Sequence, residues 1–504
     1  MKSIIRPKLL RYIQLVDYLN KIEGPVALDI LAKELDCTTR TIRDYAVELS
    51  DQVAADILDV TIHHEKAILH FRNHSSFEDF IARIISVSTE FQILEYILFH
   101  PGCTVTELTE QFYQSSTTLY RMFAKIGPIL KREFEIELKT NPCVIEGPEV
   151  QVRHFFAQLF AEKYARDEWV FTDVSRKRVE EMINHAEELM CFNVDYLPIR
   201  WLANFAVISI MRHRQGYQLE PTPWEFSLEL GPERFQLGHD MASEWLIERP
   251  VLENIFSPFS VPHYAPDFKT LLEASLTQDY SRESYLQWNQ LMDMVEAQIG
   301  FGISNRKQVI LNMHNLSQIK DLKLFSHMIF LERRMAFFDL LIKSRPQLFE
   351  LLMSEISKIQ AILGNTGDEM TIGFISYAFV AVCDQLLLNI REQQPKVKIL
   401  IVSNIDYFHA KTIEEQIKFY STKQVDSRVY KGTYLTNEIG REIDHDLVLT
   451  NIPLPNYTYR PILTVKDVMD TEDLTSFQRV VRTITSDKVR ALENQFNQES
   501  QELD

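Results

Sequence analysis

The stretch Val26 to Leu49, VALDILAKELDCTTRTIRDYAVEL, decides how this chain is read. It fits two short helices joined by a tight turn. Leu28, Leu31, Ala32 and Leu35 recur at i, i+3, i+4 and i+7, the spacing of one helical face. Asp36-Cys37-Thr38 makes the turn, and Thr38 is a good N-cap for the second helix. In that helix Ile42, Tyr45, Ala46 and Leu49 repeat the apolar spacing. Thr39, Arg40 and Arg43, with Thr41 beside them, stand near its N-terminal end and face away from the core. A recognition helix in a DNA major groove needs this arrangement: one buried face, with short polar and Arg side chains at the leading end. Arg bonds a guanine edge bidentately, and Thr reaches a phosphate or a thymine methyl. An ordinary helical hairpin with a solvated charged face is the alternative.

The flanks extend the pattern. Leu9 to Ile22 carries Leu9, Ile13, Val16 and Leu19 on one stripe and predicts a supporting helix. Ile57 to Ile62 and Ala67 to Phe71 read as two short strands, the wing expected after a recognition helix. A second copy comes next. Phe91 to Phe99 is an apolar helix closed by Pro101-Gly102. Thr104 and Glu107 form a capping box for a helix with Val105, Leu108 and Phe112 inside. Ser115 caps the next helix, where Leu119, Met122, Phe123 and Ile126 keep the apolar spacing. Ser116 and Thr117 lead it; Thr117, Arg121 and Lys125 line its other side with Tyr120 beside them. Gly127-Pro128 is expected to bend or end this helix. Phe134 to Leu138 and Val144-Ile145, separated by Asn141-Pro142, predict a second wing. Two copies of helix, turn, helix and wing favour DNA binding over the hairpin.

From Gln151 to about Arg391 the pattern is helix after helix, with loops at Glu220 to Pro223 and Ser257 to Pro266. After Pro395 the chain changes character. Val397 to Val402 is an apolar run typical of a buried parallel strand, Asp446 to Thr450 a second, and Ile462 to Val465 a third. Helices at Ala410 to Tyr420 and Glu472 to about Gln495 alternate with them, as in a small α/β domain.

Composition sets limits. The 504 residues suggest three to five domains, and 45% hydrophobic with 25% charged residues is ordinary for a globular protein. The net charge of −18 argues against wholesale nucleic-acid coating. Residues 1–75 hold ten Lys and Arg against eleven Asp and Glu, and the acid lies mostly further on. Modest DNA affinity per monomer, helped by oligomerisation, is therefore expected. No basic segment followed by an apolar core opens the chain, so no signal peptide is expected. Thr371 to Ile390 is the best membrane candidate. Asp384, Gln385 and Asn389 within it make a buried domain helix the better reading. Cys37, Cys103, Cys143, Cys191 and Cys383 lie far apart without CxxC spacing. That suggests neither a disulfide framework nor a zinc site, and a reducing cytoplasm is the simplest setting. No metal cluster, phosphate loop or nucleophile–base pair indicates an enzyme, and no cofactor is expected.

In this order of elements the chain resembles the Mga/AtxA family of virulence and global transcriptional regulators of Gram-positive bacteria. Thr38 to Tyr45 is similar to the pattern S-x-R-T-I-R-x-D shared by many bacterial regulators. Arg40, Thr41, Ile42 and Arg43 match, and Tyr45 stands where the last Asp would be. The resemblance implies a mainly α multidomain protein. Two winged helix-turn-helix domains would occupy 1–75 and 76–150. Two all-helical PTS regulation domains would occupy 151–285 and 286–394. A small enzyme IIB-like α/β domain, used for dimerisation, would occupy 395–504. It implies control by histidine phosphorylation. Asn204 to Gly216 resembles D-H-I-x-F-A-I-x-R-x-x-x-G: Arg212 and Gly216 match, Phe205 stands at the histidine, and His213 is the available substitute. Leu311 to Leu322 is similar to L-x-L-H-L-R-P-A-I-x-R-L, with His314 on the histidine and Asp321 in place of Arg. Asp368 to Phe379 resembles D-E-I-G-F-I-T-I-H-F, with Ala378 where the histidine would be. A neutral imidazole is nucleophilic near pH 7, and a phosphoryl group adds about −1.5 to −2 charges at an interface. At least two of the standard phosphoacceptor positions are missing, so phosphocontrol is degraded or rewired through His213 and His314, each of which reads more readily as a satisfied helix residue. The loop Ser403 to His409 lacks the cysteine that accepts the phosphoryl group in enzyme IIB, so the tail is expected to be a scaffold. The implied partners are double-stranded promoter DNA, a second copy of the chain, the phosphocarrier protein of the phosphotransferase system and RNA polymerase, with no membrane. An RNA-binding antiterminator is an alternative, disfavoured because those begin with a β-rich RNA-binding domain. A phosphotransferase component is another, disfavoured by the missing cysteine.

Overall fold

The computed structural model describes all residues except 1–3, 23, 73, 165–167, 173, 191–198, 220–242, 244, 246, 257, 259–260, 262, 320–328, 331–337, 339–340, 343–344, 366–368, 393, 421–423, 433 and 502–504. It divides into two compact units: residues 1–274 with 314–333 and 366–375, and residues 275–313 with 334–365 and 376–504.

The first unit opens with a winged helix. Helix α1 (Pro7–Lys21) starts with proline in its first turn and buries Tyr12, Ile13, Leu15, Val16 and Leu19. Strand β1 (Val26–Ala27) leads into α2 (Leu28–Glu34), and α3 (Thr39–Glu48) comes next. Thr38 caps α3 by accepting the Thr41 N–H, while Ile42 and Ala46 are buried. Strands β2 (Leu58–His63) and β3 (Lys66–Phe71) pair antiparallel from Leu58↔Phe71 to His63↔Lys66. Their two-residue turn, His64-Glu65, has both φ positive at 46° and 61°, the twist a tight hairpin needs. β1 adds to β3, giving the order β1-β3-β2. The sequence reading missed β1 because two residues carry no periodicity.

The second module repeats this plan. Ser76 and Asp79 form a capping box for α4 (Phe77–Val87), and α5 (Thr89–Phe99) succeeds it. Thr104 and Glu107 cap α6 (Val105–Phe112) as expected. Helix α7 spans Ser116–Phe134 and carries Pro128 inside it. Of the expected bend or end at Gly127-Pro128, the end is therefore corrected. Leu119, Met122, Phe123, Ile126, Ile129, Leu130 and Phe134 are all buried along one face, and that packing outweighs one lost backbone bond. The wing accordingly starts later than Phe134, as β4 (Glu137–Thr140) paired with β5 (Cys143–Glu146). A single bridge, Cys103↔Cys143, occupies the place of β1.

The two modules are fastened together. Lys125 Nζ donates to the carbonyls of Ile4 and Ile5 at 3.0 and 2.8 Å. Arg6 reaches Thr89 Oγ1 at 3.4 Å and Glu90 at 3.7 Å. Arg83 of α4 pairs with Asp56 at 2.9 Å.

Helix α8 (Glu149–Lys163) is buried on every side from Gln151 to Phe160, the mark of a helix enclosed by others. The expected domain boundary after 150 falls inside it. Phe134 meets Phe155 edge-on at 5.1 Å, and Phe99 stacks on Phe160 at 6.0 Å. Helices α9 (Arg176–Met190) and α10 (Ile199–Arg214) come after it. Glu149 at the head of α8 is gripped by Arg153 at 2.8 Å and by Arg212 of α10 at 2.8 Å, with all three side chains nearly buried. Helices α11 (Arg249–Phe256) and α12 (Phe268–Thr277) complete this stretch.

In the second unit α13 (Asp279–Ile299) ends on Gly300 at φ 78°, a left-handed cap. The expected boundary between 285 and 286 lies within this helix. Arg306, at the head of α14 (Arg306–Leu316), ties back to Glu296 at 2.6 Å and Asp293 at 2.7 Å. Helices α15 (Pro346–Ile362), α16 (Glu369–Val382) and α17 (Leu386–Glu392) continue the chain. The expected loop Glu220 to Pro223, together with Asp321 and Asp368, lies outside the described residues.

The tail is a parallel sheet in the order β7-β6-β8-β9, from β6 (Val397–Val402), β7 (Val425–Val429), β8 (Leu447–Thr450) and β9 (Ile462–Thr464). Val397, Ile399 and Ile401 face Ile413 of α18 (Tyr407–Tyr420) and Phe477 of α20 (Thr471–Gln501). Leu400 and Val402 face Tyr457 and the short α19 (Asn437–Glu442). Both faces are covered, which is why the central strands read as unbroken apolar runs. β7, Val-Asp-Ser-Arg-Val, is an edge strand whose alternation the reading missed.

Candidate nucleic-acid interface

Counted from their caps Thr38 and Ser115, the two recognition helices correspond residue by residue. In the first, Arg40 is exposed, while Thr39, Thr41 and Arg43 are half-buried. Thr41 Oγ1 lies 2.9 Å from Thr38 Oγ1 and so belongs to the cap. Arg43 is ion-paired with Glu65 at the wing tip, and Asp44 beside it is exposed. The first face therefore carries its own negative charge.

The second face is different. Ser115 accepts the Thr118 N–H at 3.1 Å, and Ser116, Thr117, Tyr120 and Arg121 are all exposed. Arg121 occupies the position of Asp44. Val105, Thr106, Thr109, Glu110, Gln114 and Tyr120 are among the residues lining an open concavity between α6 and the start of α7. Lys125 does not join this face as a free cation, because its ammonium is held by the Ile4 and Ile5 carbonyls. The sequence groups it with Arg121 at the DNA face; in the structure it straps the two modules.

Tyr113 was missed. It is 93% exposed in the turn between α6 and α7, with φ 52°. Asp36 holds the same left-handed position in the first turn, at φ 48°. The absence of glycine from both turns was the available signal, since a bulky residue rarely adopts this conformation.

The two candidate phosphoacceptors differ sharply. His213 is half-buried at the end of α10, next to Arg212. His314 is fully buried, with Nε2 2.9 Å from the His263 carbonyl, and burial pushes its pKa down to about 4. Its imidazole is neutral, and no phosphoryl donor reaches it in this conformation. In the tail, Ser403 Oγ lies 2.8 Å from His409 Nδ1, and His409 Nε2 lies 2.6 Å from the Asp467 carbonyl. No helix among the described residues is long and apolar enough to cross a membrane, and no metal-binding cluster occurs among them.

The family profile "Mga helix-turn-helix domain" matches residues 73–160, from the start of α4 into α8. A Streptococcus pneumoniae serotype 4 protein described as a trans-acting regulator is 24% identical over 465 residues, covering 90% of this chain and 94% of that protein. The capsule synthesis positive regulator AcpA of Bacillus anthracis is 25% identical over 217 residues, 42% of this chain and 44% of AcpA. AcpB, of the same name and organism, is 22% identical over 213 residues, 42% of this chain and 43% of AcpB. The Mga helix-turn-helix domain and these relatives show the resemblance to the Mga/AtxA family of regulators that the order of elements implied.

Proposed function

We propose that the chain is a DNA-binding transcription activator in which two winged helices read promoter DNA as one body. The observation that carries this reading is the pair of capped recognition helices with exposed leading ends, strapped together through Lys125, Arg6 and Arg83. Arg40, Thr39 and Arg43 contact DNA from the first, and Ser116, Thr117, Tyr120 and Arg121 from the second. Bendability of the site contributes to preference, because few basic groups are available. The domain breaks fall before Ser76, Glu149, Asp279 and Lys396. Two PTS regulation domains then tune activity, with His213 the accessible phosphorylation site, and an enzyme IIB-like tail pairs two subunits. The reading is of a regulator and not an enzyme, supported by relatives that are all named as regulators.

The test is salt-titrated binding of promoter fragments by the intact chain and by one ending near Pro395. Tight, salt-dependent binding by the intact chain and weaker binding by the truncation is expected. Folded protein that binds no DNA at any salt overturns the reading in favour of RNA or protein partners.

A further inference from the structure

Cys103 and Cys143 are distant in sequence and adjacent in space. They face each other across the isolated antiparallel bridge that joins the start of the second helix-turn-helix to its wing. Two backbone bonds hold them there: the Cys143 N–H to the Cys103 carbonyl at 2.8 Å, and the Gly102 N–H to the Cys143 carbonyl at 3.0 Å. The Cys143 thiol donates to the Thr140 carbonyl at 3.6 Å, and each sulfur is near enough to the other to influence its titration. Directly opposed antiparallel residues have Cα atoms about 4.5–5.5 Å apart, inside the 4.4–6.8 Å window of disulfides. The fold does not need sulfur here, since Val26 and Ala67 make the same bridge in the first module.

We propose that Cys103 and Cys143 are a redox modification site, closing to a reversible disulfide that fastens the second helix-turn-helix to its own wing. The oxidant is a low-molecular-weight disulfide. The thiolate of Cys103, the less buried of the two, attacks it, forming a mixed disulfide and expelling one small thiolate. The Cys143 thiolate then attacks the Cys103 sulfur and expels the second. Two protein thiols are oxidised, one small disulfide is reduced to two thiols, and the two protein protons end on them. Burial pushes both thiols up, Cys143 to about 11, so closure is slow and answers sustained oxidation. The bond replaces a contact already made, so the exposed face of α7 stays where it is.

The experiment incubates the full chain with oxidised glutathione at mildly alkaline pH, alkylates it, digests it and maps the products by mass spectrometry. A linked Cys103–Cys143 peptide pair is expected, with Tm raised by roughly 5 °C and DNA affinity unchanged. The double variant Cys103→Val, Cys143→Ala, which copies the bridge of the first module, keeps the reduced Tm and shows no shift with oxidant. Glutathione retained on a single cysteine with no internal link overturns the proposal, as does an equal Tm shift in the double variant.

Discussion

Arg43 of the first recognition helix is ion-paired to Glu65 at the tip of its own wing. Glu65 is held in place, because its carbonyl accepts the Leu28 N–H at 2.9 Å and its backbone sits at φ 61° in the hairpin turn. The carboxylate occupies the guanidinium, so in the proposed complex DNA competes with Glu65 for Arg43.

Glu65→Gln should therefore tighten DNA binding. The pair is solvent-exposed, so the gain is roughly two- to fivefold at low salt and shrinks as salt rises. In the Arg43→Ala background the same substitution should change nothing. A titration in which Glu65→Gln weakens binding would show that the pair orders the wing for contact and does not compete with it.

Arg121 and Lys125, one turn apart on α7, should separate cleanly. Arg121→Ala removes an exposed cation with no part in the core, and should weaken DNA binding by roughly tenfold or more at unchanged Tm. Lys125→Met removes the strap to Ile4 and Ile5 and should lower Tm instead. Any loss of DNA binding should then be matched by closer but independent half-site contacts in footprints. Equal affinity for Arg121→Ala and the parent would take the second recognition helix out of the interface.

This division was only partly legible in the sequence. The caps at Thr38, Thr104 and Ser115 were readable because a hydroxyl before an apolar helical repeat has one common structural use. The wings and the central strands of the tail were readable from length and pattern. Lys125 was not, because helical spacing places it beside Arg121 and says nothing of carbonyls from the chain start. Pro128 misled for the same reason: local preference argued for a break, and a buried seven-residue face overrode it. His314 sits in a helix apolar on most sides, where periodicity cannot tell a core histidine from an accessible one. Cys103 and Cys143 became a pair only through the bridge.

His314 should make stability depend on pH. Its native pKa is held near 4, below the ordinary value of 6.5, so the folded state favours the neutral ring. The stabilising contribution is complete above the unfolded pKa. It is lost as pH falls from 6.5 toward 4, because the unfolded chain takes up the proton first, and at most about 3 kcal/mol is at stake. Denaturation midpoints between pH 7.5 and 4.5 should drop less steeply in His314→Gln than in the parent. His314→Asp would bury a carboxylate against the His263 carbonyl, so it should unfold the site and cannot imitate phosphorylation. His213→Asp is the informative mimic, and a change in promoter activity at unchanged Tm is expected from it.

Glu162 gives the helical region a grip on the second DNA-binding module. Its carboxylate is 3% exposed and accepts the backbone N–H groups of Ile329 at 2.7 Å and Phe330 at 2.8 Å, with the Gln158 amide at 2.8 Å. These donors are what makes a buried charge tolerable, and they place the Phe330 ring edge-on to Phe91 of α5 at 5.6 Å. Segment 329–330 is thus seated against the helix that precedes the second helix-turn-helix. Glu162→Gln keeps the shape but replaces a charged two-oxygen acceptor with an amide that has one. It should cost about 1–3 kcal/mol and speed amide exchange at 329–330 well before α8 opens. Phe330→Ala should loosen the same contact without touching the carboxylate. If both variants change DNA affinity in the same direction while each module stays folded, this seat carries the state of the helical region to the DNA-binding end. If exchange accelerates and affinity does not move, the seat is structural only.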